Sequence, residues 1–293
     1  MKIIALYSKV FYDNYQSTLQ SLISILENRG YNVAIYSDFY SLIKDFITTA
    51  KDVIVFNSIE EIKNDVECLF SIGGDGTLLD TVSIVKDSGV PVLGINFGRM
   101  GFLSMVKKEF IESALFAFFH GEYELEQRSL LKIECDTEPF VGNDYALNEI
   151  CFSRHEAYSL ITPKVWVNET YLNRYWADGL IIATPTGSTA YSLACGGPIL
   201  HPSTNSFVIT PMASHNLSAC SIVIPDDSVI KVLVECRENE FCMNVDSFSR
   251  HFNSGTMFTI SKNSFNFNLI RIKEENFFKT IREKLNWGLD VRN

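Results

Sequence analysis

The sequence predicts an α/β N-terminal domain with a Rossmann-like parallel sheet, followed by a β-rich C-terminal domain and a C-terminal helix that packs back on the first domain. Two observations predict it. Apolar strand-like runs alternate with helical patterns up to about residue 105, and beyond a helix that stops at Gly121 the hydrophobic period falls to two. The expected boundaries are 1–122 for the α/β domain, 123–270 for the β-rich domain and 271–293 for the returning helical segment.

Each element has its own justification in the sequence. Residues 2–7 read as a first strand, 15–28 as a helix stopped by Gly30, 31–36 as a second strand, 40–49 as a helix and 53–56 as a third strand. A further apolar strand runs into Gly73, a helix follows from Thr77, and 91–96 reads as another buried strand. In such a sheet ligands sit beyond the carboxyl ends of strands, where residues 73–77 and 96–101 fall. Residues 109–120 read as one more helix. After it, 129–135, 159–167, 179–183, 207–210, 221–224, 229–234, 240–245, 256–261 and 265–270 are short alternating or apolar runs between turn residues. Residues 274–287 return to a helical pattern. The cleft between the two domains is the default ligand site.

The most informative stretch is Gly73-Gly74-Asp75-Gly76-Thr77, where a strand empties into three glycines around one carboxylate. Glycines let the backbone bend and let a phosphate approach bare N–H groups, and the following helix N-terminus adds a positive dipole end. A carboxylate there repels phosphate unless it meets a metal ion or accepts a hydrogen bond from a hydroxyl, and both are jobs in phosphoryl transfer. A tight strand-to-helix turn with a solvated Asp is the plainer alternative. A second stretch runs from Asp178-Gly179 through Thr184-Pro185-Thr186-Gly187-Ser188-Thr189-Ala190-Tyr191 to Gly196-Gly197-Pro198. Four hydroxyl residues around one turn, with an aromatic ring after them, suit hydrogen bonding and covering of a nucleotide. Asn148-Glu149 lies between the two stretches.

In this order the three motifs resemble those of the NAD kinases, which phosphorylate the 2′-hydroxyl of the adenosine ribose of NAD to make NADP. Gly98-Arg99-Met100-Gly101-Phe102-Leu103 extends the likeness, so that it covers most of the chain. The resemblance implies ATP as phosphoryl donor, Mg²⁺ or another divalent cation as cofactor, and a homodimer or homotetramer. It implies Asp75 as the catalytic group, either as base for the hydroxyl or as a metal-linked positioning group. Gly76, Asn148, Glu149, Asp178, Thr189, Ala190 and Tyr191 become the NAD-contacting set: Glu149 on ribose hydroxyls, Asn148 on an adenine edge or a phosphate, and Asp178 on the carboxamide at a site shared with a neighbouring subunit. Gly73, Gly74, Thr77, Arg99 and Ser188 become the phosphate set, with Arg174, His215 and Asp246 as further candidates. Two departures stand out. Where relatives carry an Arg two residues before the Asp-Gly pair this chain has Trp176, and the His215-Asn216-Leu217-Ser218 element lacks the Arg and Pro that usually follow.

Composition excludes other classes. The charge is −10, from 25 Lys plus Arg against 35 Asp plus Glu, which argues against adsorption to nucleic acid or anionic lipid. Backbone N–H groups, hydroxyls and a cation hold nucleotides without a basic chain. No apolar run spans a bilayer. Seven cysteines without Cys-x-x-Cys spacing fit a reduced cytoplasmic setting. His120, His155, His201 and His251 read as loop or helix-end residues without a chemical role. There is no Walker-type loop, no Gly-x-Gly-x-x-Gly opening a helix and no protein-kinase signature. The rivals are a lipid kinase of the diacylglycerol or sphingosine type, which resembles this chain at Gly73–Thr77 but carries its Asn-Glu pair close by, and a non-catalytic NADP sensor, which would have no use for Asp75 and Glu149.

Overall fold

The first sheet shows why the βα alternation was legible. The computed structural model describes residues 2–98, 101–104, 106–136, 143–155, 159–216, 218–273 and 276–288. By contacts the chain forms two compact units, Met1–Gln127 with Phe267–Asn293, and Arg128–Asn266. In the first unit β1 (Ile3–Tyr7), β2 (Asn32–Tyr36), β3 (Ile54–Phe56), β4 (Val66–Ile72) and β5 (Val92–Asn96) pair in parallel in the order β3-β2-β1-β4-β5. β1 and β5 are buried along their whole length, as expected for strands covered on both faces.

Helix α1 (Gln16–Asn28) buries Leu19, Leu22, Ile23 and Leu26, one stripe at three- and four-residue spacing. Gly30 follows with φ +87°, a conformation that a side chain would resist, and turns the chain into β2. Helix α2 (Ser37–Ile43) begins and ends earlier than the helix expected over 40–49. The reason is Gln20 of α1, whose side-chain amide donates to the Thr48 carbonyl (2.7 Å) and accepts from the Thr48 N–H (2.8 Å), taking both backbone groups that a longer helix would need. β4 leads through Gly73 and Gly74 into α3 (Asp75–Val85).

The strand Phe267–Ile272 corrects the expected domain boundary. Period-two patterning alone puts it with the β-rich run, but Leu269 pairs Val92 of β5 in parallel, so it belongs to the first sheet. Alternation reports a strand with one covered face and is silent on which sheet does the covering. The last helix, Phe277–Leu285, is capped by Asn276, which accepts from the Lys279 N–H at 2.8 Å.

The second unit is built from two six-stranded sheets. One has the order Ile222–Pro225, Ser206–Met212, Gly179–Ala183, Glu149–Arg154, Glu240–Val245, Phe248–Asn253. The other runs Thr170–Arg174, Ile161–Val167, Ile230–Cys236, Thr256–Lys262, Leu131–Cys135, Tyr145–Ala146. Their paired neighbours are antiparallel. Alternate residues of both enter one core, among them Phe152, Ile182, Phe207 and Phe241 from one sheet and Val165, Val232, Phe258 and Ile260 from the other. Gly179–Ala183 is buried on both faces, because Ile181 and Ala183 join a second cluster with Val208 and Met212. Among the described residues no helix is long and apolar enough to cross a membrane.

Candidate active site

In the first unit α3 starts at Asp75, with Gly74 as its N-cap, so the first N–H groups of the helix lack intrahelical partners. Gly73 is required by close approach: a Cβ there would lie 2.4 Å from Thr77 Oγ1. Thr77 is itself buried beneath this turn. Asp75 Oδ2 accepts from the Phe102 N–H (2.7 Å), and Oδ1 accepts from the N–H groups of Leu103 (3.1 Å) and Ser104 (2.9 Å). Gly101 passes directly over this carboxylate, where a Cβ would meet Oδ1 at 1.7 Å. Asn96, buried at the end of β5, accepts from the Gly98 N–H (2.7 Å) and donates to the Ser104 carbonyl (3.3 Å). Asp75 thus organises the loop after β5. A carboxylate offers about four lone-pair positions, so three backbone donors leave about one, on Oδ2. Arg99 lies outside the described residues.

In the second unit Asn148 and Glu149 are held by a third carboxylate. Asp246 takes φ +49° and accepts from the N–H groups of Leu147 (2.8 Å), Asn148 (2.9 Å) and Glu149 (3.0 Å), while its own N–H donates to the Glu149 carbonyl (3.0 Å). Burial, then the nearby Asp246 charge, push Glu149 up from 4.5 to about 8, against a hydrogen bond from the Tyr191 N–H that works the other way. Burial also raises Asp246, from 3.8 to about 6, but its three backbone donors favour the charged form. Burial raises both groups, and the backbone donors on Asp246 make it the one whose charged form is the better supported. Among the described residues Glu149 Oε2 is buried with no hydrogen-bond partner.

The hydroxyl-rich turn behaves differently from its reading as a nucleotide-facing set. Ser188 is fully buried, donates to the Pro185 carbonyl (2.6 Å) and accepts from the Leu200 N–H (2.9 Å), so its hydroxyl is committed to the turn and is not presented to a phosphate. Thr184 donates to the Leu147 carbonyl (2.5 Å), Thr186 accepts from the buried Arg128 (3.3 Å) and Thr189 donates to the Thr186 carbonyl (3.1 Å). The Thr184 bond ties the turn to the Asn148 segment, while Thr186 and Thr189 are held by Arg128 and by the turn itself. Gly187 completes the fit, since a Cβ there would lie 2.0 Å from the Asn148 carbonyl oxygen. Ala190 links this turn to Tyr191, whose ring is 46% exposed and free to cover a ligand.

Asp178 pairs with Arg154 at 3.1 Å. Arg174, Trp176 and His215 come together along a cavity of about 610 Å³, with Arg237 and Asn216 also on its wall. The His215 N–H donates to the Trp176 carbonyl (2.9 Å), and the two rings lie 5.6 Å apart. Sequence reasoning missed Asn96 and Arg128. Asn96 carried a usable signal, an Asn two residues before a glycine at a strand end, which is the pattern of a side chain closing a turn. Arg128 carried none, because its burial depends on the whole β unit.

Three comparisons bear on what these two clusters belong to. The N-terminal domain of ATP-NAD kinases matches residues 15–123, and the C-terminal domain of ATP-NAD kinases matches residues 147–272. The NAD kinase of Flavobacterium psychrophilum is 41% identical over 292 residues, covering 99% of each chain. The fold is that of a yeast NADH kinase crystallised with NADH (TM-score 0.89, 22% identity, 100% of this chain and 89% of that one). It is shared by an NAD kinase from Archaeoglobus fulgidus in complex with ATP (TM-score 0.71, 24% identity, 98% and 99%). With both family domains matched in order and a relative aligned end to end, the chain belongs to the ATP-NAD kinase family of enzymes.

Proposed function

We propose that the chain transfers the γ-phosphoryl group of ATP to the 2′-hydroxyl of the adenosine ribose of NAD, giving NADP. The observation that carries this reading is Glu149: a buried carboxyl oxygen without a partner, on a backbone fixed by three bonds to Asp246, calls for a ligand that brings its own donors. A ribose diol does so. Asn148, beside it, serves an adenine edge or a phosphate, and Tyr191 covers the base. The bare N–H groups at Gly74 to Thr77 receive phosphate oxygens.

In the reaction the ribose oxygen bonds to the γ-phosphorus as the bond to the bridging oxygen of ADP breaks. The hydroxyl proton goes to the remaining Oδ2 lone pair of Asp75. Positioning supplies most of the acceleration, because phosphoryl transfer asks for little covalent help from protein. A divalent cation, when bound, would be held by the nucleotide phosphate oxygens and would neutralise their charge. Excess chelator is expected to abolish turnover in an NADP assay; full activity would exclude the cation. A homodimer or homotetramer, with Asp178 presented to a neighbour's NAD, and a cytoplasmic setting for seven cysteines in the thiol form, complete the proposal.

The acceptor is tested directly. The purified chain is given labelled ATP with NAD, diacylglycerol or sphingosine in separate reactions. Label in NADP alone supports the proposal, and label in lipid favours the lipid-kinase reading.

A further inference from the structure

The sheet that holds Glu149 carries a second cluster at its far end. Strand Glu149–Arg154 pairs antiparallel with Glu240–Val245, with Ile150 opposite Val245 and Arg154 opposite Phe241. Asp246 and Glu149 therefore occupy one end of the pair, while Glu240 and His155 meet at the other. The next strand of the hairpin, Phe248–Asn253, sets His251 opposite Cys242, on the outward face that Glu240 shares by period two. The ligand atoms of His155, Glu240 and His251 all fall within 4.8 Å of one another. The two imidazoles meet edge to face with centroids 4.6 Å apart. Sequence reasoning gave these histidines no role, since they are far apart along the chain and only the register of three strands joins them.

We propose that His155, Glu240 and His251 bind a zinc-class divalent cation. Two imidazoles and a carboxylate are a donor set suited to Zn²⁺, with the fourth position left to water. In a tetrahedral site with bonds of ~2 Å the donors are ~3.3 Å apart, and exposed side chains close the remaining distance by rotation. Mg²⁺ prefers oxygen ligands, so this site selects a different ion from the one that accompanies the nucleotide. Six residues of strand, ~20 Å, separate His155 from Glu149. The ion is therefore no participant in phosphoryl transfer. It ties three strands together at the end of the pair opposite the Asp246–Glu149 cradle and stabilises the second unit.

The test uses the full chain, stripped with chelator and dialysed. Zn²⁺ is titrated by calorimetry into the wild type, His155→Gln, His251→Gln and Glu240→Gln, and melting temperature is followed with Zn²⁺ and with Mg²⁺. The expected result is a single Zn²⁺ site per chain, weakened by at least ~10-fold in each variant, the scale of even an outer-shell loss. A melting-temperature rise specific to Zn²⁺ should vanish in the two histidine variants. All three residues are exposed, so the metal-free variants should melt with the metal-free wild type, which separates ligand loss from misfolding. Zn²⁺ binding that survives both histidine changes would assign the ion to the seven thiols or to Asp75, and no binding at all would be equally fatal to the proposal.

Discussion

Glu149 and Asp246 show how neighbouring carboxylates are held differently by their surroundings. Asp246 spends both oxygens on backbone donors, while Glu149 keeps an oxygen buried and without a hydrogen-bond partner among the described residues. The consequence for stability has a definite sign. The folded-state value for Glu149, about 8, lies above its ordinary 4.5, so folding favours the protonated form. Stability is therefore fully present below about pH 4.5 and is lost as pH rises towards 8. Glu149→Gln keeps the shape and removes the ionisation. We expect it to melt higher than the wild type at pH 8.5 and level with it at pH 4, while NAD affinity falls; a difference that does not change with pH would contradict the assignment. Ribose donors on Glu149 would favour its charged form, so NAD binding near pH 7 should release a proton, visible as binding enthalpies that differ between buffers.

At the scale of elements, two glycines carry the geometry of the two clusters. Gly187→Ala would drive a Cβ into the Asn148 backbone, and Gly101→Ala would drive one into the Asp75 carboxylate. The first obstacle is backbone and the second is a carboxylate pinned by three backbone donors, so either the backbone shifts or those bonds break. We expect each change to cost ~1–3 kcal/mol, the range of overpacking, and to lower turnover. Gly187→Ala should raise the NAD requirement, and Gly101→Ala should leave NAD affinity nearly unchanged; steady-state kinetics with thermal melts would show it. This is also where legibility in the sequence divides. The Gly73–Thr77 turn and the strand Gly179–Ala183 could be read because glycines and continuous apolar runs are local signals, whereas the Asn148-Glu149 pair drew notice only through the resemblance. Polar edge strands such as Tyr123–Arg128 and Phe248–Asn253 could not, because a strand largely uncovered on both faces has too few apolar residues to set up an alternation. The hydroxyls of Thr184 to Thr189 could be counted but not aimed: whether they face a ligand or backbone and side-chain partners such as Leu147, Leu200 and Arg128 depends on residues outside the motif.

For the whole molecule, the return of Phe267–Ile272 to the first sheet means that the chain's two ends build one unit and its middle builds the other. Assembly is argued from the second unit's surface. Tyr171 and Trp176 are exposed, at 54% and 53%, whereas Tyr175, next to Trp176 in sequence, is buried in the unit's own core. Two exposed rings near Asp178 are apt for an interface. Trp176→Glu should yield monomers and a higher KM for NAD together, by light scattering and kinetics, whereas monomers with unchanged kinetics would refute a shared site. The central claim, that Asp75 drives NADP synthesis, has its most direct test in NADP formation from NAD, ATP and Mg²⁺ by the wild type and by Asp75→Asn. NAD affinity and thermal melts serve as controls for the ~1–3 kcal/mol that disturbing the Phe102–Ser104 donors would cost. We predict a folded variant that binds NAD but turns over at least ~10²-fold more slowly, the scale of a lost acid-base group. A folded variant making NADP at the wild-type rate would contradict the account.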